Sequence, residues 1–480
     1  MLFNSFNFWI IFPFIFIIYW IIPIKYTSAK RWFLILASYL LYMNFNPAYA
    51  LILLGITIVT YVAALYLEST FASANIKKRK IIVWTGVVLA ALPLLVFKYY
   101  NFINDSIFSA MEVIGIKFNL PGLNWAVPVG ISFFTFQALG YMLDVYFHKI
   151  RAERSFSDYL LFCSFFPQTA SGPISKASEL LPQIKSPSQF NYGKAREGLQ
   201  ILLWGMFLKV VFADRLGLYV DTVYDNVEYY SGVTCLVASI FYSFQIYGDF
   251  AGYSLMAIGI GKLIGFDLVN NFNHPYLATS ITDFWRRWHI SLTRWLTSYI
   301  YIPLGGSHCR KIQQYWNIMV TFLVSGIWHG ANWTFIVWGL IHGVLQVIEK
   351  FLGFDPKGKY GHWGSQNTMV KAIRIGVTFG LVTLAWIFFR AQSIDTAILV
   401  IKKILTNSAG VWQPISFASI VIGMFMMVVG REVIEEFFQR HFSLLNNRFS
   451  MVRWCSYLFL FAFIILYGVL DSTQFIYVSF

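Results

Sequence analysis

The sequence predicts an all-α polytopic membrane protein of about twelve transmembrane helices, with further re-entrant or interfacial helices, in one membrane domain over residues 1–480. Three observations predict it. The chain is 58% hydrophobic, 19% aromatic and only 12% charged, whereas soluble chains carry roughly 45–50% apolar and about 25% charged residues. So few ionic groups cannot solvate a surface, and lipid must be the solvent for much of the chain. The apolar residues also gather into runs near the length of about 20 residues that a helix needs to cross the hydrocarbon layer. Finally, the basic residues fall in short clusters between those runs, such as "KKRK" at Lys77–Lys80.

The expected spans lie near 5–24, 32–47, 49–67, 81–98, 123–147, 197–213, 232–260, 313–330, 332–349, 373–390, 412–430 and 452–470. The first apolar run lacks a preceding basic stretch and a following small-residue cleavage site, so it reads as a retained helix rather than a signal peptide. Neither end carries a lipidation signature. Lys25, Lys30 and Arg31 follow span one, Lys77–Lys80 span three, and His148, Lys149, Arg151 and Arg154 span five. Positive loops stay in the cytoplasm, so odd-to-even connections are inside, and both termini are expected outside a bacterial inner membrane. The loop after span six is acidic (Asp214, Asp221, Asp225, Glu228), as an external loop can be. Lys402 and Lys403 conflict with this scheme, falling in a loop it puts outside.

Two apolar segments, "YLLFCSFFPQTASGPI" (Tyr159–Ile174) and "RWLTSYIYIPLGG" (Arg294–Gly306), are too short or too broken by Pro and Gly to span. They suit re-entrant or interfacial elements, because irregular backbone at membrane depth survives only inside protein or beside water. No internal repeat is visible, which disfavours a transporter of inverted halves. The net charge of +14, from 36 Lys and Arg against 22 Asp and Glu, belongs to membrane loops and not to a nucleic-acid surface. Four scattered cysteines (Cys163, Cys235, Cys309, Cys455) form neither a disulfide framework nor a thiolate metal site.

Polar residues concentrate between Gln245 and Asn332. Gln245 and Asp249 stand at i, i+4 on one face of an apolar span, and an intramembrane carboxylate either serves function or sits in a buried network. Residues 283–294 form an amphipathic helix with Ser280 or Thr282 available as N-cap. It carries Asp283, Arg286, Arg287, His289 and Arg294 among Trp285, Trp288 and Trp295. Two readings stand: an interfacial helix, or a cytoplasmic mouth whose arginines grip the phosphates of an anionic donor. His274 before Pro275 reads as a turn residue, while His148, His308, His362 and His441 lie near basic loops and read as solvated. His329, in "SGIWHGANW", lies deep in its span or towards its outer end, with His342 thirteen residues on. An imidazole there is either a general base for a hydroxyl or a satisfied core histidine. A metal role is unsupported, since no second ligand stands at i+3 or i+4.

Taken together, the ordered segments "PVGISFFTFQALGYMLDVY", "FFPQTASGPI", "FADRL", "YGDFAGYSLMAIG", "NFNHPYLATSITDFWRRWHISLTRWL", "YIYIPLGG", "SGIWHGANWTFIVWGLIHG" and "WIFFRA" resemble the membrane-bound O-acyltransferase (MBOAT) family. The resemblance is to its bacterial AlgI-like branch of alginate O-acetylation, with relatives in peptidoglycan O-acetylation and teichoic-acid D-alanylation. It implies a multi-helix membrane fold in which a tunnel meets a funnel from the other face. His329 matches the family's catalytic histidine and His289 its second motif histidine. The implied donor path takes in Asp283, Arg286, Trp285 and Trp288, with Asp249, Gln245, Trp328 and Asn332 in support. The tail "FIYVSF" (Phe475–Phe480) resembles an aromatic tail whose tyrosine, here Tyr477, holds the acyl group in transit; an interfacial aromatic anchor is the other reading. The resemblance further implies acetyl-CoA as donor, no bound cofactor, a polysaccharide acceptor and an extracytoplasmic esterase-like partner of SGNH type. D-alanyl transfer from a carrier thioester is the alternative within the class. A transporter or a non-catalytic polymer-binding scaffold is the alternative outside it.

Overall fold

The computed structural model describes residue 3 and residues 5–71, 75–116, 120–186, 189–361, 367–416, 418–438 and 445–469. Among them the chain is helical, with one isolated β-bridge between Tyr230 and Val411. It divides into two compact units, residues 1–199 with 257–269, and residues 200–256 with 270–480.

The first unit holds α1 (Phe6–Ile21), α2 (Thr27–Met43), α3 (Pro47–Ser69), α4 (Ile76–Leu94), α5 (Tyr100–Val113), α6 (Ile131–Tyr146), α7 (Phe156–Ser164), α8 (Phe166–Thr169) and α9 (Ala177–Lys185). Asn46, Asn75 and Ser155 cap α3, α4 and α7 through their side-chain oxygens. α3 packs on α4 and α6, where Gly86 leaves room for the Met142 thioether. The broken segment Tyr159–Ile174 is buried throughout, as irregular backbone in a membrane protein must be. Side chains satisfy its backbone: Gln168 Nε2 donates to the Pro173 carbonyl (2.9 Å) and Thr169 Oγ1 to that of Ser164 (2.8 Å). Expected span 123–147 is helical only from Ile131, because Pro128 and the left-handed Gly130 (φ 76°) interrupt the apolar run. Span 81–98 is extended instead, running on through a π-turn at Leu95–Tyr99 into α5.

α10 (Tyr192–Met206) leads into a π-helical turn, Phe207–Ala213, and then α11 (Asp214–Tyr224). The remaining helices are α12 (Gly232–Leu263), α13 (Ile281–Arg287), α14 (Ile290–Leu296), α15 (Lys311–His329), α16 (Trp333–Leu352), α17 (Thr368–Arg390), α18 (Ile394–Thr406), α19 (Ala418–Phe438) and α20 (Ser450–Tyr467). The acidic connection after span six is therefore a helix. Leu216, Tyr219, Val220 and Val223 recur at helical spacing on its buried side. Lys402 and Lys403 lie on α18, and Lys403 Nζ is taken up by the carbonyls of Glu228 (2.6 Å) and Tyr230 (2.8 Å). Its charge is thus taken up by backbone carbonyls distant in sequence. Expected span 412–430 begins later, at Ala418, beyond Pro414.

Among the described residues six helices are long and apolar enough to cross a membrane: α3, the α4–α5 run, α12, α16, α17 and α20. α1 is apolar but shorter. The protein is a multi-pass membrane protein.

The second unit turns on the α15–α16 hairpin. A Cβ placed on Gly339 would lie 2.5 Å from the Phe322 carbonyl oxygen, and one on Gly326 would lie 2.4 Å from that of Phe335. Small residues at such a crossing let two membrane helices meet backbone to backbone. Gly339→Ala is expected to destabilise the protein by roughly 1–3 kcal/mol, lowering the thermal midpoint in detergent. Gly376→Ala, with open space around it, should leave that midpoint in place; equal behaviour of the two would refute the close crossing.

Candidate active site

His329 is the last residue of α15, and its position follows from the glycine crossing. Its ring lies edge-on to Trp338 of α16 (centroids 4.8 Å apart), to Trp328 (4.8 Å) and to Phe389 of α17 (5.2 Å). Gly330 ends the helix in an extended conformation. A Cβ there would stand 2.1 Å from the Phe335 ring, so the glycine of "WHG" admits that ring, which packs edge-on to Phe389 (4.9 Å). His329 is 2% exposed and its walls are aromatic.

His289 is fully buried at the break between α13 and α14. Its backbone is left-handed (φ 42°), a conformation that costs a non-glycine residue about 1–3 kcal/mol and persists only where neighbours enforce it. The neighbour is Asn271. Its carbonyl accepts from Ile290 N (2.9 Å) and its Oδ1 from Ser291 N (3.2 Å), while its Nδ2 donates to Ser254 Oγ (3.1 Å). The His289 ring stands edge-on to Phe250 (4.6 Å) and lies 5.9 Å from Trp328. The Trp328 indole thus lies against both motif histidines.

The other expected residues separate by what they touch. Trp285 and Trp288 are buried, Trp285 beside Trp338 and His342, Trp288 beside Trp386 and Tyr276. Asp283 Oδ1 accepts from Arg287 Nε (3.0 Å) and Oδ2 from Thr279 N (3.1 Å). Arg287 in turn forks onto Glu436 of α19 (2.9 and 3.1 Å). Arg286 is exposed and makes no ion pair among the described residues. Asn332 caps α16, accepting from Thr334 N (3.0 Å), and donates to the Gln392 carbonyl (3.0 Å). Gln245 is buried with its amide against Gly217 of α11. Asp249 pairs with Lys209 (2.5 Å), which also holds Asp214 (2.6 Å), and all three side chains are buried. Tyr477, like His362 and His441, lies outside the described residues.

The sequence singles out neither Asn271 nor Lys209, and it expects of His274 only a place in a turn. Asn271 sat unnoticed inside "NFNHPYL". Lys209 is a charge inside the run "MFLKVVFA", which was a readable signal. His274, left-handed before Pro275, bonds Glu432 (3.0 Å) and approaches Glu435 (3.7 Å). Burial opposes its charge, but the Glu432 hydrogen bond and the carboxylates of Glu432, Glu435 and Glu436 outweigh that and raise its pKa. The "NHPYL" turn, α13 and the end of α19 therefore share one network of opposite charges. Among the described residues no three His, Cys, Asp or Glu side chains gather as metal ligands.

The chain is thus a polytopic helical membrane protein with a histidine buried among aromatic rings at the end of α15. The model of the MBOAT, membrane-bound O-acyltransferase, family matches residues 41–375, and the chain belongs to that family; it is a membrane acyltransferase. A peptidoglycan O-acetyltransferase of Helicobacter pylori is 37% identical over 399 residues, 78% of this chain and 73% of that protein. A probable alginate O-acetylase AlgI of Pseudomonas aeruginosa is 35% identical over 392 residues, 81% of this chain and 72% of that protein. A teichoic acid D-alanyltransferase of Bacillus subtilis is more distant, 25% identical over 320 residues, 65% of this chain and 78% of that protein.

The two adjacent arginines should separate in stability. Arg287→Ala strands Asp283 and Glu436 and is expected to cost roughly 1.5–3 kcal/mol, lowering the thermal midpoint of purified protein. Arg286→Ala should leave it unchanged, and a reversed order would disprove the assignment of the ion pair.

Proposed function

We propose that the protein transfers an acetyl group from a cytoplasmic thioester, acetyl-CoA, into the O-acetylation of an extracytoplasmic polysaccharide, with His329 as general base. The observation that carries the reading is His329 itself, buried at the end of α15 with Trp328, Trp338 and Phe389 around its ring. The similarity to an O-acetyltransferase and to alginate O-acetylases over about four-fifths of the chain supports acetyl as the group moved.

The chemistry asks little of the protein beyond a base and a dry site. The acceptor hydroxyl loses its proton to the His329 imidazole as its oxygen attacks the thioester carbonyl. The C–O bond forms, the C–S bond breaks, and the thiolate leaves and takes up a proton. A neutral imidazole suits that task near neutral pH, and aromatic walls keep water from the carbonyl. Arg286, exposed beside the Trp285 and Trp288 pair, is free to meet donor phosphates, while Asp283 acts on the donor path by fixing Arg287. His289, whose ring also lies near Trp328, shapes that path. The clusters of Lys and Arg support a cytoplasmic donor side and extracytoplasmic termini. A separate secreted esterase-fold partner of SGNH type completes transfer to the polymer.

Tyr477 is the acceptor that the reading places first in line: its phenol oxygen takes the acetyl as an aryl ester and passes it on. A phenol with a pKa near 10 needs a base for this, and His329 supplies it.

His329→Ala should lower O-acetylation of the cell-surface polymer by about 10²–10⁴-fold at unchanged membrane abundance. The group released from that polymer by mild alkali should be acetate; D-alanine would identify the more distant relative's chemistry instead. Tyr477→Phe should block transfer, and peptide mass analysis after acetyl-CoA exposure should find the adduct on Tyr477. Full transfer by that variant removes the relay while leaving His329 untouched.

A further inference from the structure

We propose that His342 is a positioning residue for this reaction, holding Trp285 and Trp338 so that the wall behind His329 keeps its place. This rests on the reading of His329 as the base.

One stripe of α16 grips α13. His342, Gln346 and Glu349 stand at i, i+4 and i+7, which places them on one helix face. Gln346 Nε2 donates to Thr282 Oγ1 (3.3 Å), and Glu349 Oε2 accepts from Thr282 N (2.9 Å) and Thr282 Oγ1 (3.3 Å). His342 Nδ1 accepts from Trp285 Nε1 (3.2 Å). These bonds set both the start of α13 and the ring at its centre.

The last bond decides what His342 does. An indole N–H only donates, so Nδ1 keeps its lone pair and the ring is neutral, with its proton on Nε2. A protonated ring would have no acceptor to offer. His342 is therefore a fixed acceptor and no second base. Its ring is fully buried and stands edge-on to Trp285 (5.1 Å) and to Trp338 (5.0 Å). Trp285 and Trp338 also meet edge-on (5.7 Å). These three rings form a closed triangle, and the Trp338 corner is the one that His329 touches at 4.8 Å. Loss of the acceptor frees Trp285, and Trp338 then loses the support that fixes the His329 ring.

The test separates the acceptor from the ring. His342→Phe and Trp285→Phe each keep an aromatic ring and remove one end of the bond. In proteoliposomes supplied with acetyl-CoA, each should lower kcat about tenfold, about 1.4 kcal/mol, and His342→Phe should do so with KM for acetyl-CoA unchanged within about twofold. The double variant should be no slower than either single one, because both break the same bond. His342→Asn, which returns an acceptor near the Nδ1 position, should recover most of kcat. Wild-type kcat in His342→Phe overturns the proposal, as does a double variant whose losses multiply. If His342→Phe fails to fold, Trp285→Phe and His342→Asn decide alone, the first slow and the second fast. His329→Ala is measured beside them. Turnover in that variant sinks the base assignment itself, whereas an inactive His329→Ala beside a fully active His342→Phe sinks only the role of His342.

Discussion

The backbone contact between α15 and α16 at Gly326 and Gly339 governs where the chemistry can be. In lipid there is no hydrophobic force between apolar helices, so a tight crossing depends on small residues that let backbones touch. Here each glycine faces the carbonyl of the partner helix, with Gly326 and Gly339 also in contact with one another. That crossing brings the end of α15 against the first turns of α16. His329 therefore meets Trp338 without a loop having to carry it there. A side chain fixed by helix packing is held more stiffly than one on a loop, and the proposed role of His329 as a base would need that stiffness.

Buried charge is the second constraint. Lys209, Asp214 and Asp249 have at most 8% of their side chains exposed. Three ionic groups in an apolar interior are tolerated only because each is paired, and removal of one would strand the others. Lys209 lies in a π-helical turn, the local rearrangement by which a helix re-aims side chains near functional sites. Asp249 ties that turn to α12, and the next residue, Phe250, stands against His289. The carboxylate that stood out in the sequence thus connects to the second histidine through the next residue along α12. Asp283 acts in the same indirect way, through Arg287 and Glu436.

Long apolar runs were legible because their signal is local. α3, α12, α16 and α17 were expected within a few residues of their ends. A hydroxyl cap for α13 was legible as either Ser280 or Thr282, since an N-cap needs only its own helix, and the structure settles on Ser280. Features set by distant partners were not. Nothing near Lys403 announces the carbonyls of Glu228 and Tyr230. The choice between Arg286 and Arg287 depends on α19, some 150 residues later. His342 was seen as a histidine, but its neutral tautomer follows only from the indole opposite it. The family motifs marked which residues matter; the structure says which of them touch one another.

The aromatic density around His329 bears on selectivity as much as on packing. A general base activates water as readily as a sugar or phenol hydroxyl, so a thioester beside an imidazole would be hydrolysed in any wet site. Rings such as Trp338, Trp328 and Phe389 present carbon to the imidazole and offer poor acceptors to a water. Under the proposed role of His329, exclusion of water would turn a hydrolase constellation into a transferase. The same logic accounts for His342. A second mobile imidazole a ring away would be another base able to activate water. By accepting from Trp285 at Nδ1, His342 commits its lone pair to structure, which is consistent with the proposal that His329 alone is the base.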